Sequence, residues 1–562
     1  MISNRRTFFQ TLGAGAAGLT ISPALAFTSC TSQDGKKPDG DGQILYIGDD
    51  IAVADTIWGK VRGFILRDIY TFRGIPYGAD TSGINRFMLP RKPEPWSDIR
   101  PAVWWGNSAP QVMAGRYANV WASFIDHWNY DDVGENCLSL NICTPGYNDG
   151  VKRPVIVWLH GGGFVNGNAI EQDGYMGENL SRYGNIVFCS LNHRLGPLGY
   201  TNLAGVGGEK YAASGNAGML DIVAALEWIR DNIGSFGGDP ANVTIIGQSG
   251  GGAKVTTLTA MPSAKGLFHK AVVLSGASTQ SGDKDYSEKL GAYVLKEAGL
   301  TPSKIDKLHQ IPWEDYITIA GKASQKLSEE MGPGNGIMRR GFNPSVDGFY
   351  LPQHPYFPEP APTAADVPML ICSTFNEMSP SRTDSTLENV TLDEVKNRLK
   401  ERMGFFPGIG DKADDVVEAY VKVFPDKKPV EIWSLISSNR KNTIALADAK
   451  SKQPAPVYLA WFGWQPPLFD NRMRAFHCVD ICFWFYNTDV MFTHTGGGSR
   501  PRELSAKMAN SLVNFMKTGD PNGGGLPDWP RYTSENGETM VLDDVSEVKN
   551  DPDREARKAL PS

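Results

Sequence analysis

Residues 243–251 read Val-Thr-Ile-Ile-Gly-Gln-Ser-Gly-Gly, a β-branched run that feeds directly into the pattern G-x-S-x-G. Such a run extends as a strand. The glycines at 247, 250 and 251 let the chain turn sharply into a helix and let neighbouring backbone pass where a Cβ would obstruct it. The stretch therefore commits this part of the chain to a strand–turn–helix unit with Ser249 at its tip, a candidate nucleophile. On its own the pattern is weak, because with glycine near ~7% of residues it recurs by chance a few tenths of a time in a chain of this length. Its partners elsewhere in the chain decide its meaning.

Apolar runs at 154–159, 185–191, 243–246, 270–274, 368–372 and 457–462 are expected as buried strands. Helical patterns fall between them. Met219, Val223, Leu226, Ile229 and Ile233 recur at helical steps, forming one apolar stripe that ends before Gly237-Gly238-Asp239-Pro240. Strand, crossover helix and strand together predict a parallel sheet. Residues 280–345 and 385–450 carry amphipathic patterns broken by Gly and Pro, as expected of helical insertions covering one end of that sheet.

With 562 residues, 41% of them apolar and 21% charged, the chain can bury a large core and is not a disordered polymer. A net charge of -7 offers no basic surface for a phosphate backbone, so no nucleic-acid partner is expected. No apolar run reaches the roughly 18 residues that a membrane-spanning helix needs. Asn4-Arg5-Arg6-Thr7-Phe8-Phe9, followed by a Gly- and Ala-rich run, resembles a bacterial twin-arginine export signal. Ala24-Leu25-Ala26 offers a small-x-small cleavage site, and Phe27–Cys30 resembles, imperfectly, the box after which lipoproteins are cut and acylated. Both readings stand open at this point, so the expected destination is periplasmic, secreted or lipid-anchored through Cys30. The organisation expected is an export signal at 1–30, a flexible polar linker at 31–45, one catalytic domain at 46–546 and a tail at 547–562.

The seven cysteines lack the density of a disulfide scaffold. Cys189 and Cys372 sit inside strand-like runs, where a thiol behaves as a small hydrophobe. His477, Cys478 and Cys482 lack a second ligand pair, so no metal is expected.

The second chemical signal is Trp158-Leu159-His160-Gly161-Gly162-Gly163-Phe164, in which a strand ends in three glycines whose amides can point into a cavity. Amides aimed at a developing oxyanion are worth about 2.7–4 kcal/mol each. The candidate donors are Gly162, Gly163 and Gly250. A phosphate cradle would need the lysine and hydroxyl of the P-loop, which do not follow.

These segments, together with Phe72–Tyr77, Glu135–Asn141, Asn192–Gly199, Phe236–Pro240 and the closing Thr518–Asn522 and Leu526–Pro530, resemble the type-B carboxylesterase family from about residue 46 to 545. That family also contains cholinesterases and bacterial para-nitrobenzyl esterases. The resemblance implies an α/β-hydrolase fold: a mostly parallel central sheet, helices on both faces and helical insertions over the active site. It also implies hydrolysis of small-molecule carboxylic esters through an acyl-enzyme, without cofactor or metal.

Hydrolases of this fold run Ser, acid, His along the chain. Ala475–Ile481 resembles the family's histidine loop and makes His477 the candidate base ahead of His160, His193 and His494. Phe375-Asn376-Glu377, directly after the 368–372 strand, resembles the acidic segment and makes Glu377 the candidate acid, with Asp347 and Asp384 as rivals. Met378-Ser379 after this acid departs from the family pattern. So do Asn136 for aspartate, His193 for tyrosine, Gly250 where alanine is common, and the lack of any cysteine between Cys30 and Cys137 to bridge the latter. Phe164, Trp121 and Trp484 are candidate pocket aromatics. A thioesterase or amidase with the same chemistry, and a non-catalytic binding relative, are the alternatives. The oligomeric state is left open.

Overall fold

In the computed structural model, which describes residues 42–112, 132–332, 341–401 and 408–561, the apolar runs become the strands of one large sheet. The export-signal residues, Cys30 and Trp121 lie outside the described residues. The strands in chain order are β1 (Leu45–Tyr46), β2 (Val53–Thr56), β3 (Gly59–Arg62), β4 (Phe64–Leu66), β5 (Ile69–Pro76), β6 (Arg100–Pro101), β7 (Ser139–Thr144) and β8 (Arg153–Leu159). They continue as β9 (Val187–Leu191), β10 (Gly238–Gln248), β11 (Lys270–Leu274), β12 (Met369–Thr374), β13 (Val457–Phe462), β14 (Glu538–Leu542) and β15 (Glu547–Asn550). A small sheet takes β2, β3 and β6, and the remaining strands form a 12-stranded sheet ordered β1-β4-β5-β7-β9-β8-β10-β11-β12-β13-β14-β15. From β9 through β14 every pairing is parallel, and antiparallel strands flank this block on both sides.

Both faces are dry because the strand period of two sends alternate residues into separate cores. Along β8, Val155, Val157 and Leu159 join one apolar cluster, while Ile156 and Trp158 join another. In β11, Ala271 and Val273 likewise oppose Val272 and Leu274. The first cluster includes Leu226, Ile229, Val255 and Leu258, and the second includes Leu504, Met508, Leu512 and Phe515 of the helix Ser499–Thr518. Helices thus cover both faces. Truncating the fully buried Trp158 to alanine would open a void in the second cluster at a cost of about 3–5 kcal/mol.

Two expectations change. The helix Ala217–Asn232 buries Leu220, Asp221, Ile222 and Trp228 in addition to its apolar stripe. Arg194 packs there too, and takes Asp221 in a buried ion pair with contacts of 2.6 and 2.8 Å. The residues from 547 onward, expected as a tail, instead supply edge strand β15 and the helical turn Arg554–Arg557. Their charges are not merely solvated, since Asp553 meets Arg440 at 3.2 Å across the fold and Arg557 at 2.6 Å within the same segment.

The insertions are helical as expected, with Lys284–Glu297 and Trp313–Met331 between β11 and β12 and Leu392–Lys400 to Arg440–Ser451 between β12 and β13. What positions the site is the crossing around β8. The chain leaves β8 for β9 on one side and returns as β10 on the other, so the loops after β8 and β10 part and leave a crevice at their C-terminal ends.

Candidate active site

Ser249 occupies that crevice. It joins β10 to the helix Gly250–Leu258 with φ 57° and ψ -124°, a region that a non-glycine residue holds only at a cost of about 1–3 kcal/mol. Its amide donates to the Leu274 carbonyl at 2.8 Å, tying the turn to β11. The half-buried side chain stands at the tip, as the strand–turn–helix reading requires. The glycines that follow are demanded by close approach, because a Cβ on Gly251 would come 2.0 Å from the Leu159 carbonyl oxygen.

Register brings the glycine run beside this turn. Leu159 pairs with Gly247 across β8 and β10, so the segments leaving the two strands emerge side by side. Gly162 and Gly163 hold φ 85° and 65°, open to glycine and strained for other residues. A Cβ on Gly161 would lie 3.5 Å from the Ser249 Cβ, and one on Gly250 would collide with Gly163 at 2.1 Å from its carbonyl oxygen. The glycine run after β8 therefore packs directly against the Ser249 turn. The same contact gives a physical reason for glycine at 250, where alanine is common in the family.

Residues 100 apart in sequence bring an acid to an imidazole. His477 Nδ1 donates to Glu377 Oε2 at 2.5 Å, and the other oxygen of Glu377 accepts the Thr374 amide at 3.2 Å. The two loops are also stitched through backbone, by Asn376 N to Ala475 O at 3.1 Å and His477 N to Glu377 O at 3.3 Å. The Glu377 side chain is 2% exposed and that of His477 14%. Burial pulls the imidazole pKa down, but Cys478 and the Glu377 carboxylate outweigh it and hold it well above the usual value. The Cys478 thiol is itself pushed up by burial and stays neutral, so the carboxylate is the cause that matters. The rival acids have other work. Asp347 binds Asn216 and the amides of Phe349 and Leu351, and exposed Asp384 caps the turn Ser385–Asn389. Among the other histidines, His160 stacks on His193 at 5.1 Å, and His494 packs edge-on against Phe476.

Gln248, which the sequence reading passed over, links the two halves. Its amide nitrogen lies 3.1 Å from His477 Nε2 and 3.3 Å from Nδ1, while its oxygen accepts from Cys478 Sγ at 3.4 Å. With Nδ1–H given to Glu377, the amide donates to the bare Nε2, which places the basic nitrogen next to the residue preceding Ser249. Its place inside G-x-S-x-G was the available signal, but nothing local says that the side chain turns back. Asp480 lies fully buried behind the histidine, where burial and then the Glu377 charge raise its carboxyl to about 7. Trp484, considered for the pocket, is fully buried and gives its indole N–H to Asp480 at 3.3 Å. Phe164 is also buried, edge-on to Tyr200.

Comparison with known proteins places the chain in a family. The carboxylesterase family model matches residues 50–559. The para-nitrobenzyl esterase of Bacillus subtilis (strain 168) is 32% identical over 90% of this chain and 98% of its own length. Phenmedipham hydrolase of Pseudarthrobacter oxydans is 30% identical over 89% of this chain and 97% of its own. Among solved structures, an esterase of Clostridium hathewayi described as able to hydrolyse aliphatic aromatic polyesters superposes with a TM-score of 0.78 at 33% identity, covering 92% of this chain and 99% of its own. A para-nitrobenzyl esterase structure gives 0.73 at 31%, covering 91% and 99%. A match spanning the sheet, the serine turn and the acid and histidine loops leads to one conclusion: the chain belongs to the carboxylesterase family, type-B carboxylic ester hydrolases of the α/β-hydrolase fold.

Proposed function

We propose that this carboxylesterase works through a Ser249–His477–Glu377 triad and an acyl-enzyme intermediate. The Ser249 hydroxyl attacks the ester carbonyl carbon as His477 Nε2 takes its proton. The carbonyl π electrons move onto oxygen, where the amides of Gly162, Gly163 and Gly250 receive the oxyanion. Collapse expels the alcohol, which leaves with the proton from His477, and the acyl group remains on Ser249. Water then enters, gives a proton to His477 and releases the acid, and the proton returns to Ser249. Glu377 keeps the proton of the resting imidazole on Nδ1 and stabilises the imidazolium that forms at each transfer.

The observation that carries this reading is the 2.5 Å contact of His477 Nδ1 with Glu377, in a ring whose Nε2 faces the residue next to Ser249. Ser249→Ala, which removes the nucleophile and leaves a small side chain, is expected to fold normally and lose hydrolysis of p-nitrophenyl butyrate. An organophosphate probe is expected to label the wild type at Ser249 alone. Activity retained by Ser249→Ala, or stoichiometric labelling elsewhere, would reject the assignment. Thioester and amide substrates run in the same panel separate the carboxylesterase from a thioesterase or amidase that shares the chemistry.

A further inference from the structure

Lys254 stands where nothing in the proposed reaction calls for a charge. It is the fifth residue of the helix Gly250–Leu258 and is wholly buried, although an ammonium is among the most costly groups to take out of water. Burial draws its pKa down to about 7, against an opposing pull from Glu171. Such a group persists where its hydrogen-bond donors are used.

Among the described residues a donor is used at one place. Lys254 Nζ gives a hydrogen bond to the His160 carbonyl at 2.8 Å, the residue at which β8 ends and the glycine run begins. Phe164, just past the run, has its ring centroid 6.0 Å from Nζ. The titratable groups around the lysine are His160, His193 and Glu171. Each imidazole places Nδ1 2.9 Å from a neighbouring carbonyl, Gly161 O for His160 and Arg194 O for His193, which puts the ring proton on Nδ1. Burial first, and then the charge of Lys254, hold His193 well below its ordinary pKa. His193 therefore supplies no positive charge under the loop.

Three consecutive glycines have little of their own to fix their peptide planes. At the far end of the run the Gly162 carbonyl accepts from Val165 N at 3.3 Å and Asn166 N at 3.0 Å. At the near end, the partner of the His160 carbonyl is Lys254. We propose that Lys254 is a positioning residue for the oxyanion-binding glycines, its Nζ donating to the His160 carbonyl and thereby orienting the amides of Gly162 and Gly163 before substrate arrives. This rests on the reading of those glycines as oxyanion donors given above. Amide donors act in proportion to how well they are already aimed, so a loosened anchor removes transition-state stabilisation while leaving ground-state binding intact.

The test replaces Lys254 with methionine, which keeps the stem and removes the donors, and with glutamine, which keeps a shorter donor. Measured are kcat and KM for p-nitrophenyl butyrate, thermal melting, and the affinity of a trifluoromethyl ketone that adds to Ser249 and presents an oxyanion. For Lys254→Met, kcat is expected to fall about ten- to a hundredfold with KM within about twofold, and the ketone to weaken by a similar factor. Lys254→Gln is expected to recover part of both. A folded Lys254→Met with wild-type kcat and ketone affinity overturns the proposal, and so does failure of both variants to fold, which would make the lysine a folding residue. Wild type and Ser249→Ala in the same assay keep the two readings apart. An inactive wild type or an active Ser249→Ala rejects the triad, whereas a lysine variant of unchanged kcat beside an active wild type rejects only the anchor.

Discussion

Glu377→Gln tests the imidazole's orientation with almost no change of shape. The carboxylate accepts two hydrogen bonds, from Thr374 N at 3.2 Å and from His477 Nδ1 at 2.5 Å. A glutamine amide has one oxygen and one NH2 group, so it can accept at only one of these places. The Thr374 amide is fixed at the end of β12 and has no tautomer to exchange, so it retains the oxygen. The NH2 group then faces Nδ1, which must become the acceptor, and the ring proton moves to Nε2. A ring protonated there cannot take the serine proton. The comparable change in another serine hydrolase lowers kcat about 10⁴-fold, equivalent to about 5 kcal/mol of barrier, and the same order is expected here. The raised pKa of His477 adds a second readout. The base works when neutral, and the carboxylate that raises its pKa keeps it protonated to higher pH. Losing that charge is expected to move the acid limb of any residual kcat/KM to lower pH. The assay is p-nitrophenyl butyrate hydrolysis from pH 5 to 9, with melting curves to confirm a native fold. A folded variant within tenfold of wild type, with its acid limb unmoved, would refute the reasoning.

Two further outcomes follow from the same contacts. Gln248→Glu puts a carboxylate in place of an amide 3.1 Å from His477 Nε2, and such a charge favours imidazolium, so the acid limb of kcat/KM should move up by about one pH unit or more; an unchanged profile in pH-dependent rates would place residue 248 outside the reaction. Gly250→Ala forces a methyl group to within 2.1 Å of the Gly163 carbonyl oxygen, and since relief requires roughly 1 Å of loop movement, kcat should drop about 10- to 100-fold with the protein still folded; equal kcat in steady-state assays would show that the glycine contact does not set the oxyanion geometry.

Much of the fold could be read locally. β11 and β13 coincide with their apolar runs at 270–274 and 457–462, and the crossover helix stops before Gly237 as its stripe indicates. These features depend on the strand period of two, the helical period and glycine turns, all of which act over a few residues. The last strand was missed for the same reason: Glu547–Asn550 is short and polar, and only pairing with β14 makes it part of the sheet. Among site residues, the serine turn and the glycine run are legible as local backbone geometry, whereas the acid and histidine loops are picked out by their resemblance to the family.

The sequence by itself determined which side chains this protein brings to the crevice and on which kinds of turn they sit. Only the tertiary structure decided which of them touch: Glu377 rather than Asp347 or Asp384 on His477, Gln248 folded back across 229 residues to the same ring, and Lys254 under the His160 carbonyl. Contacts of that span are set by strand order and by which loops part around β8. No periodicity carries that information, since it arises only when distant segments compete for the same buried space and the same hydrogen-bond partners.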